Sequence, residues 1–287
     1  MNQRIHLILV LLSTYFFAFG KTVRLDEALH KKWVSSTIVM QPNEATNGRN
    51  LRLSLKNLTK EALIITVPVG FIFESADTTV QDFVHLENKE LQLASLATKS
   101  AFVKALCIRA TRRSPHDGDA FLAKTLASGN LFALTAFAFE KKLYNLDAMQ
   151  SALWAVTDHH ELTGIDHLEL AKFVAQQLNK PLPDYFVHYK NRDMAGETAA
   201  ASLEPLDIQG VFQYTLPNDQ QVKLDLVDSA GTSVLKDFNL VETMNQTKGK
   251  HRFTFSLMLK GIPRGTYFVK MVAVSDGKEW ASKQVVF

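Results

Sequence analysis

The spacing of apolar residues is the feature that most constrains how this chain can fold. From residue 32 to residue 110, apolar and polar residues alternate in short runs, most strictly over residues 51–55. Between Ser114 and Pro183 the apolar spacing lengthens, and alternation returns from Asp207 onward. A period of two is typical of strands, and a period of about 3.6 is typical of helices. The pattern therefore predicts two strand-rich parts with a helical part between them.

We expect an α+β, multi-module fold. Residues 21–112 have the strand spacing of an immunoglobulin-like β-sandwich. Residues 113–190 are predicted to form a central helical unit that packs on this sandwich and begins with a helix at 119–126. Small residues and proline give residues 191–206 the composition of a linker. Residues 207–287 are predicted to form a second, C-terminal immunoglobulin-like β-sandwich.

Residues 1–20 have the three parts of a secretory signal peptide. Arg4 supplies a positive charge, residues 7–19 are almost wholly apolar, and Ala18 and Gly20 are the small residues that a signal peptidase requires. A helix as long as the apolar run rises only about 20 Å, whereas a bilayer core is about 30 Å thick. An uncleaved anchor is the alternative. We expect export through the periplasm to the cell surface or the medium, with no transmembrane span in the mature chain.

Composition narrows the possible partners and cofactors. Cys107 is the single cysteine, so an exported chain of this kind has no internal disulfide and its core must be sufficient for stability. The net charge of +3 is too small to indicate nucleic acid or anionic lipid as a partner. No phosphate loop, dinucleotide fingerprint or Gly-x-Ser-x-Gly elbow is present, so we expect no cofactor.

The C-terminal part carries a recognisable order of motifs. Residues 222–228 alternate cleanly, Gly265 and Tyr267 open a later strand, and Lys283 begins the closing segment. This order resembles the C-terminal sorting domain of type IX secretion, which the Bacteroidetes use. The resemblance covers residues 207–287 and implies the type IX secretion machinery as a partner. The alternative is an immunoglobulin-like accessory module that does no sorting.

Two further motifs suggest covalent chemistry. Cys107 lies on a predicted strand, and Gln150, Ala152 and Trp154 open a predicted helix. These residues resemble the two signature motifs of bacterial thioester domains, which are surface adhesins. The resemblance implies that the Cys107 thiolate attacks the Gln150 carboxamide and expels ammonia, leaving an acyl group that an amine or hydroxyl can capture. The alternative is a buried structural cysteine beside a helix that packs on the sandwich.

A cluster of histidines is a candidate metal site. His159, His160 and His167 lie among several carboxylates, and this residue combination can bind zinc. The cluster lacks the His-Glu-x-x-His spacing that places two ligands on one helix face. Polar residues that cap helix ends and contact water are the alternative interpretation.

These observations favour a non-enzymatic binding or structural protein, secreted or displayed at the cell surface, with an unknown extracellular ligand. One alternative is a thioester-type adhesin that uses Cys107 and Gln150. The other is a metal-dependent hydrolase that uses His159, His160 or His167.

Overall fold

The computed structural model describes residues 20–41, 49–191, 203–235 and 243–287. The described strands are β1 (Lys21–Arg24), β2 (Val34–Met40), β3 (Arg49–Asn57), β4 (Leu63–Val67), β5 (Phe71–Ser75), β6 (Asp82–His85), β7 (Lys89–Leu93), β8 (Thr98–Ile108), β9 (Ala120–Leu126), β10 (Tyr185–Asn191), β11 (Leu203–Leu216), β12 (Gln220–Val227), β13 (Met244–Gln246), β14 (Gly249–Met258), β15 (Thr266–Ala273) and β16 (Glu279–Val286). The described helices are α1 (Leu25–His30), α2 (Gly129–Glu140), α3 (Ala148–Asp158) and α4 (Leu168–Gln177), with a 3₁₀ turn at Leu162–Gly164. The predicted signal peptide lies outside the described residues, except for Gly20.

The N-terminal strands form a closed barrel with a small sheet beside it. The barrel order is β2-β3-β8-β6-β5-β9, and the small sheet has the order β1-β4-β7. Alternating residues point into one shared core, which includes the fully buried side chains of Leu51, Leu53 and Leu55 from β3. The same alternation in β4 and β5 adds Ile65 and Phe73 to this core. The period-two pattern therefore predicted the strands correctly, but not how they close.

The predicted α+β fold class is wrong. The protein is mostly β, with 48% strand and 18% helix, so its few short helices form no central helical unit. A barrel stands where an N-terminal immunoglobulin-like sandwich was predicted. Helices α2, α3 and α4 also have no core of their own, because they share one apolar cluster with Val84, Leu86 and Ile108 of the barrel part. These three helices pack on one another, and α3 packs on β8 of the barrel.

Strand β9 accounts for part of the error. The sequence predicts a helix at 119–126, but this segment pairs with β2 and with β5 and so closes the barrel. Its buried residue is Phe121, while the adjacent Leu122 is 56% exposed. Because the exposed Leu122 is apolar and follows the buried Phe121 directly, the sequence does not alternate between apolar and polar residues here. Two adjacent apolar residues are also typical of the apolar face of a helix, which led to the wrong prediction.

The C-terminal strands form two antiparallel sheets around one core. Their orders are β10-β11-β14 and β13-β12-β15-β16. Strand β10 precedes the predicted linker, yet it pairs with β11, and β11 itself begins inside that linker at Leu203. The rest of the linker, residues 192–202, lies outside the described residues. The predicted strands of this part are confirmed, whereas its immunoglobulin-like topology is not.

The C-terminal sheets lie against the helices of the N-terminal part. A Cβ atom added to Gly164 would be 3.5 Å from the Tyr189 ring and 3.6 Å from the Ser151 hydroxyl, so β10, the 3₁₀ turn and α3 meet there. Among the described residues, no helix has the length and apolar character needed to cross a membrane.

Candidate functional site

Cys107 occupies an open position on the barrel edge. Strand β8 pairs with β3 only from Thr98 to Lys104, while on its other side it pairs with β6 and Cys107 lies opposite Phe83. The backbone N–H and C=O of Cys107 therefore need a partner other than β3, because buried backbone groups are almost always hydrogen-bonded.

The Gln150 carboxamide supplies that partner. The Cys107 N–H donates to Gln150 Oε1 at 3.2 Å, and Gln150 Nε2 donates to the Cys107 carbonyl at 2.7 Å. These two hydrogen bonds cross 43 residues of sequence and hold the carboxamide in the position of a further strand. The sequence predicted that these two residues act together, and the structure brings them into contact.

This contact also places the carboxamide next to the residue that bears the thiol. A carboxamide that bonds both backbone groups of Cys107 lies at the edge of strand β8, beside the residue from which the sulfur projects.

The environment of the thiol is apolar. Cys107 as a residue is only partly exposed, and burial raises the pKa of its thiol to about 12. It packs against the cluster of Ala110 and Trp154, to which Leu203 of β11 also contributes. At neutral pH Cys107 therefore holds its proton, and disordered water has little access to the sulfur.

Trp154 fixes helix α3 beside Cys107. Its indole is 2% exposed, and Nε1 donates to the Oε1 atom of the buried Gln81 at 3.2 Å. Since Trp154 is one helical turn after Gln150, it holds the end of α3 that carries the carboxamide. The Ala152 side chain is fully buried between the helix and its neighbours. The Gln150, Ala152 and Trp154 spacing therefore packs the helix as well as presenting the glutamine.

A cavity of about 660 Å³ opens beside Gln150. Both parts of the protein line it, since β10 and β11 cover the ends of β8 and α3. Its lining residues are Lys104, Leu106, Tyr144, Asn145, Leu146, Asp147, Gln150, Ser151, Trp154, His188, Tyr189, Lys190, Leu203 and Leu206. Lys104 is buried, bonds Asn145 Oδ1 through its Nζ atom, and lies over the Tyr144 ring.

His188, which lines this cavity, forms a polar pair with Asp207. They lie directly opposite each other on β10 and β11, next to a β-bulge, and His188 Nδ1 is 3.3 Å from Asp207 Oδ2. The other carboxylate oxygen of Asp207 accepts a hydrogen bond from Gln209 Nε2 at 3.2 Å. Sequence reasoning missed this pair, because the pairing of β10 with β11 runs across the predicted linker.

The three candidate metal ligands have separate roles. His159 is exposed and ends α3 in a left-handed backbone conformation. The His160 ring packs against the Trp154 indole, with the ring centroids 5.8 Å apart. Burial lowers the pKa of His160, although the nearby carboxylates of Asp158 and Glu161 oppose this shift. His167 Nδ1 accepts the Leu170 N–H and so caps α4. Over residues 20–41, 49–191, 203–235 and 243–287, no three histidine, cysteine or acidic side chains are placed to bind a metal ion.

The sorting-like residues lie at the C-terminal edge of the second core. Gly265 exchanges two backbone hydrogen bonds with Phe287, and the Tyr267 ring stacks on the Phe287 ring at 4.9 Å. The Tyr267 hydroxyl donates to the Pro263 carbonyl, and Lys283 pairs with Asp184. The contacts made by Phe287 and Lys283 tie the C-terminal segment to its surroundings.

The chain was compared with protein-family models and with curated proteins. No protein-family model matches the chain. No curated protein matches it either.

Proposed function

We propose that this protein is an exported binding protein that attaches to its partner covalently, through an internal thioester between Cys107 and Gln150. The observation that carries the proposal is the pair of hydrogen bonds that hold the Gln150 carboxamide against the Cys107 backbone. This contact places the carbonyl carbon of one residue beside the residue that bears the sulfur.

The bond forms by acyl transfer. Cys107 Sγ attacks Gln150 Cδ, the Cδ–Nε2 bond breaks, and the thiol proton leaves with Nε2 as ammonia. The products are a thioester and one ammonia molecule, so no oxidant or cofactor is required. Because burial raises the thiol pKa to about 12, the sulfur is also a poor leaving group while it stays buried. The environment therefore favours a thioester that persists until a nucleophile enters the cavity.

A purely structural role for the same contact is the competing explanation. The carboxamide would then only cap the edge of β8 and fix α3. The two explanations predict different masses for the protein, because only formation of the thioester releases ammonia.

Intact mass spectrometry of the purified full chain separates them. We expect wild-type protein to be lighter than its sequence by the mass of one ammonia, and methylamine to add to it once. Cys107→Ala and Gln150→Ala should both show their full sequence masses. Gln176→Ala, an exposed glutamine variant on α4, is the matched control and should behave as wild type. An unmodified wild-type mass with an alkylatable Cys107 would show that the contact is structural.

Export and sorting form a separate part of the proposal. The signal-like residues 1–20 and the sorting-like motifs of residues 207–287 support delivery to the cell surface or the medium. Sequencing the termini of the protein recovered from its native host tests this. A mature start at Lys21 would support export, and an intact residue 1 in cell-free medium or surface fractions would contradict signal cleavage.

A further inference from the structure

We propose that His188 is the proton acceptor for the molecule that captures the thioester, and that this molecule reacts through a hydroxyl group of a carbohydrate. The inference rests on the proposed thioester between Cys107 and Gln150. It adds a catalytic residue, a positioning residue and a substrate class to that site.

The position of His188 supports the first part. His188 and Gln150 line the same cavity, although they come from the two different parts of the protein. His188 is 40% exposed and lines the cavity, while its cross-strand partner Asp207 is 23% exposed. The cavity therefore gives an entering molecule access to both the Gln150 side chain and the His188 imidazole.

Asp207 sets the chemistry of the imidazole. A carboxylate at Nδ1 holds the proton on that nitrogen and leaves Nε2 as the acceptor. Because Gln209 bonds the second carboxylate oxygen, the Asp207 side chain is itself held in place. Asp207 is thus a positioning residue, and His188 is the group that takes the proton.

A proton acceptor matters much more for one class of nucleophile than for the other. A neutral amine attacks a thioester with its own lone pair and loses its proton afterwards. A hydroxyl is a weak nucleophile until a base removes its proton during the attack, which typically accelerates such reactions by about 10²–10⁴-fold. A histidine–aspartate pair in the cavity that Gln150 lines therefore favours capture by a hydroxyl.

The aromatic lining of the cavity indicates the kind of hydroxyl compound. Tyr144 and Tyr189 contribute aromatic rings, and Asn145 and Ser151 contribute polar groups. Aromatic rings with a polar edge offer flat apolar surface beside hydrogen-bonding positions. A sugar ring has matching faces, with C–H groups on its flat sides and hydroxyls around its rim, so we infer a carbohydrate partner.

The capture step balances without any further reagent. The sugar oxygen bonds to Gln150 Cδ, the Cδ–Sγ bond breaks, and His188 Nε2 takes the hydroxyl proton. That proton then passes to the departing Cys107 sulfur. The products are an ester of Gln150 with the sugar and a free Cys107 thiol.

The test compares two probes on the full-length protein by intact mass spectrometry. Methyl glucoside is the hydroxyl probe and methylamine is the amine probe. We expect His188→Gln to slow the addition of methyl glucoside by about 100-fold and to change the addition of methylamine by less than about threefold. Asp207→Asn should show the same split in rates. His251→Gln, a histidine variant that lies on β14 and stacks on Tyr214, is the matched control and should react as wild type.

Chemical rescue distinguishes loss of the proton acceptor from misfolding of the variant. His188→Ala should regain addition of methyl glucoside when imidazole is supplied, which a misfolded variant would not do. Each variant should also keep the ammonia-deficient mass, which shows that its thioester has formed.

Three results would overturn the inference in distinguishable ways. A wild-type protein with no ammonia loss would end both the thioester proposal and this one. A thioester that takes methylamine but never methyl glucoside would refute the hydroxyl substrate alone. Equal addition of methyl glucoside to wild type and to His188→Gln would refute the role of His188 alone.

Discussion

Replacing Cys107 with alanine separates a covalent bond from a hydrogen-bonded contact by its effect on stability. The substitution removes the sulfur but leaves the backbone N–H and C=O of residue 107, which are the groups that bond the Gln150 carboxamide. Any large loss of stability must therefore come from the missing cross-link, apart from the small void left by the thiol.

The magnitude follows from the length of chain that the bond encloses. A cross-link that closes the 43 residues between Cys107 and Gln150 reduces unfolded-state entropy by the equivalent of about 4 kcal/mol, by the relation used for disulfides. Removing the buried thiol adds about 1 kcal/mol. We therefore expect Cys107→Ala to lower the free energy of unfolding by about 5 kcal/mol, compared with about 1 kcal/mol if the contact is not covalent.

Urea unfolding followed by tryptophan fluorescence and circular dichroism measures this difference. Gln150→Ala should lose the same cross-link together with the hydrogen bond from the Cys107 N–H to Oε1, the one that remains after Nε2 has left as ammonia, and this adds about 1–3 kcal/mol. Combining the two substitutions should cost little more than Gln150→Ala alone, because either change removes the same bond. A Cys107→Ala protein within about 1 kcal/mol of wild type would refute the reasoning.

Further predictions concern the thiol and the packing around it. In Gln150→Ala the freed Cys107 thiol, with its pKa of about 12 instead of 9, should react with iodoacetamide at pH 8 about a thousandfold more slowly than an ordinary thiol. Its folded state binds the proton more tightly than its unfolded state, so the stability of this variant should fall as the pH rises from 9 to 12; a flat pH profile of urea midpoints would contradict the burial. Trp154→Phe removes the donor to a fully buried glutamine oxygen, and we expect about 1–3 kcal/mol of destabilisation in urea titrations. Gly210→Ala would place a Cβ atom 2.6 Å from the Phe255 ring, and a loss of about 1–3 kcal/mol is expected in the same assay. An unchanged midpoint for Gly210→Ala would mean that the ring can move aside.

Local patterns predicted individual elements better than their assembly. Alternation identified strands such as β3 and β8, and the 3.6-residue period identified α3 and α4, because each element buries one face. The barrel was not predictable in this way, since its closure depends on β9, a segment whose exposed Leu122 hides the alternation. The helical segment was predicted to pack on a sandwich, whereas α3 packs on strand β8 of a barrel and shares its apolar cluster.

In the candidate site, too, the residues with a local motif were predicted and those brought together by long-range pairing were not. Cys107 and Gln150 were identified from residue types and their local motifs, without any geometric evidence. His188 and Asp207 carry no such motif, and they meet only because β10 pairs with β11 from either side of the predicted linker. Long-range strand pairing of this kind has no local signal in one sequence. The histidine cluster gave a misleading signal, because capping and packing use the same residues as metal binding.

Peptide mapping of the purified wild-type protein tests the central claim most directly. The protein should be digested at low pH, where thioesters survive, and analysed by tandem mass spectrometry. We predict that the peptides containing Cys107 and Gln150 are recovered as one linked species, lighter by one ammonia than the sum of the two peptide masses. Recovery of the two peptides separately, with an unmodified Gln150 and a free Cys107, would contradict it.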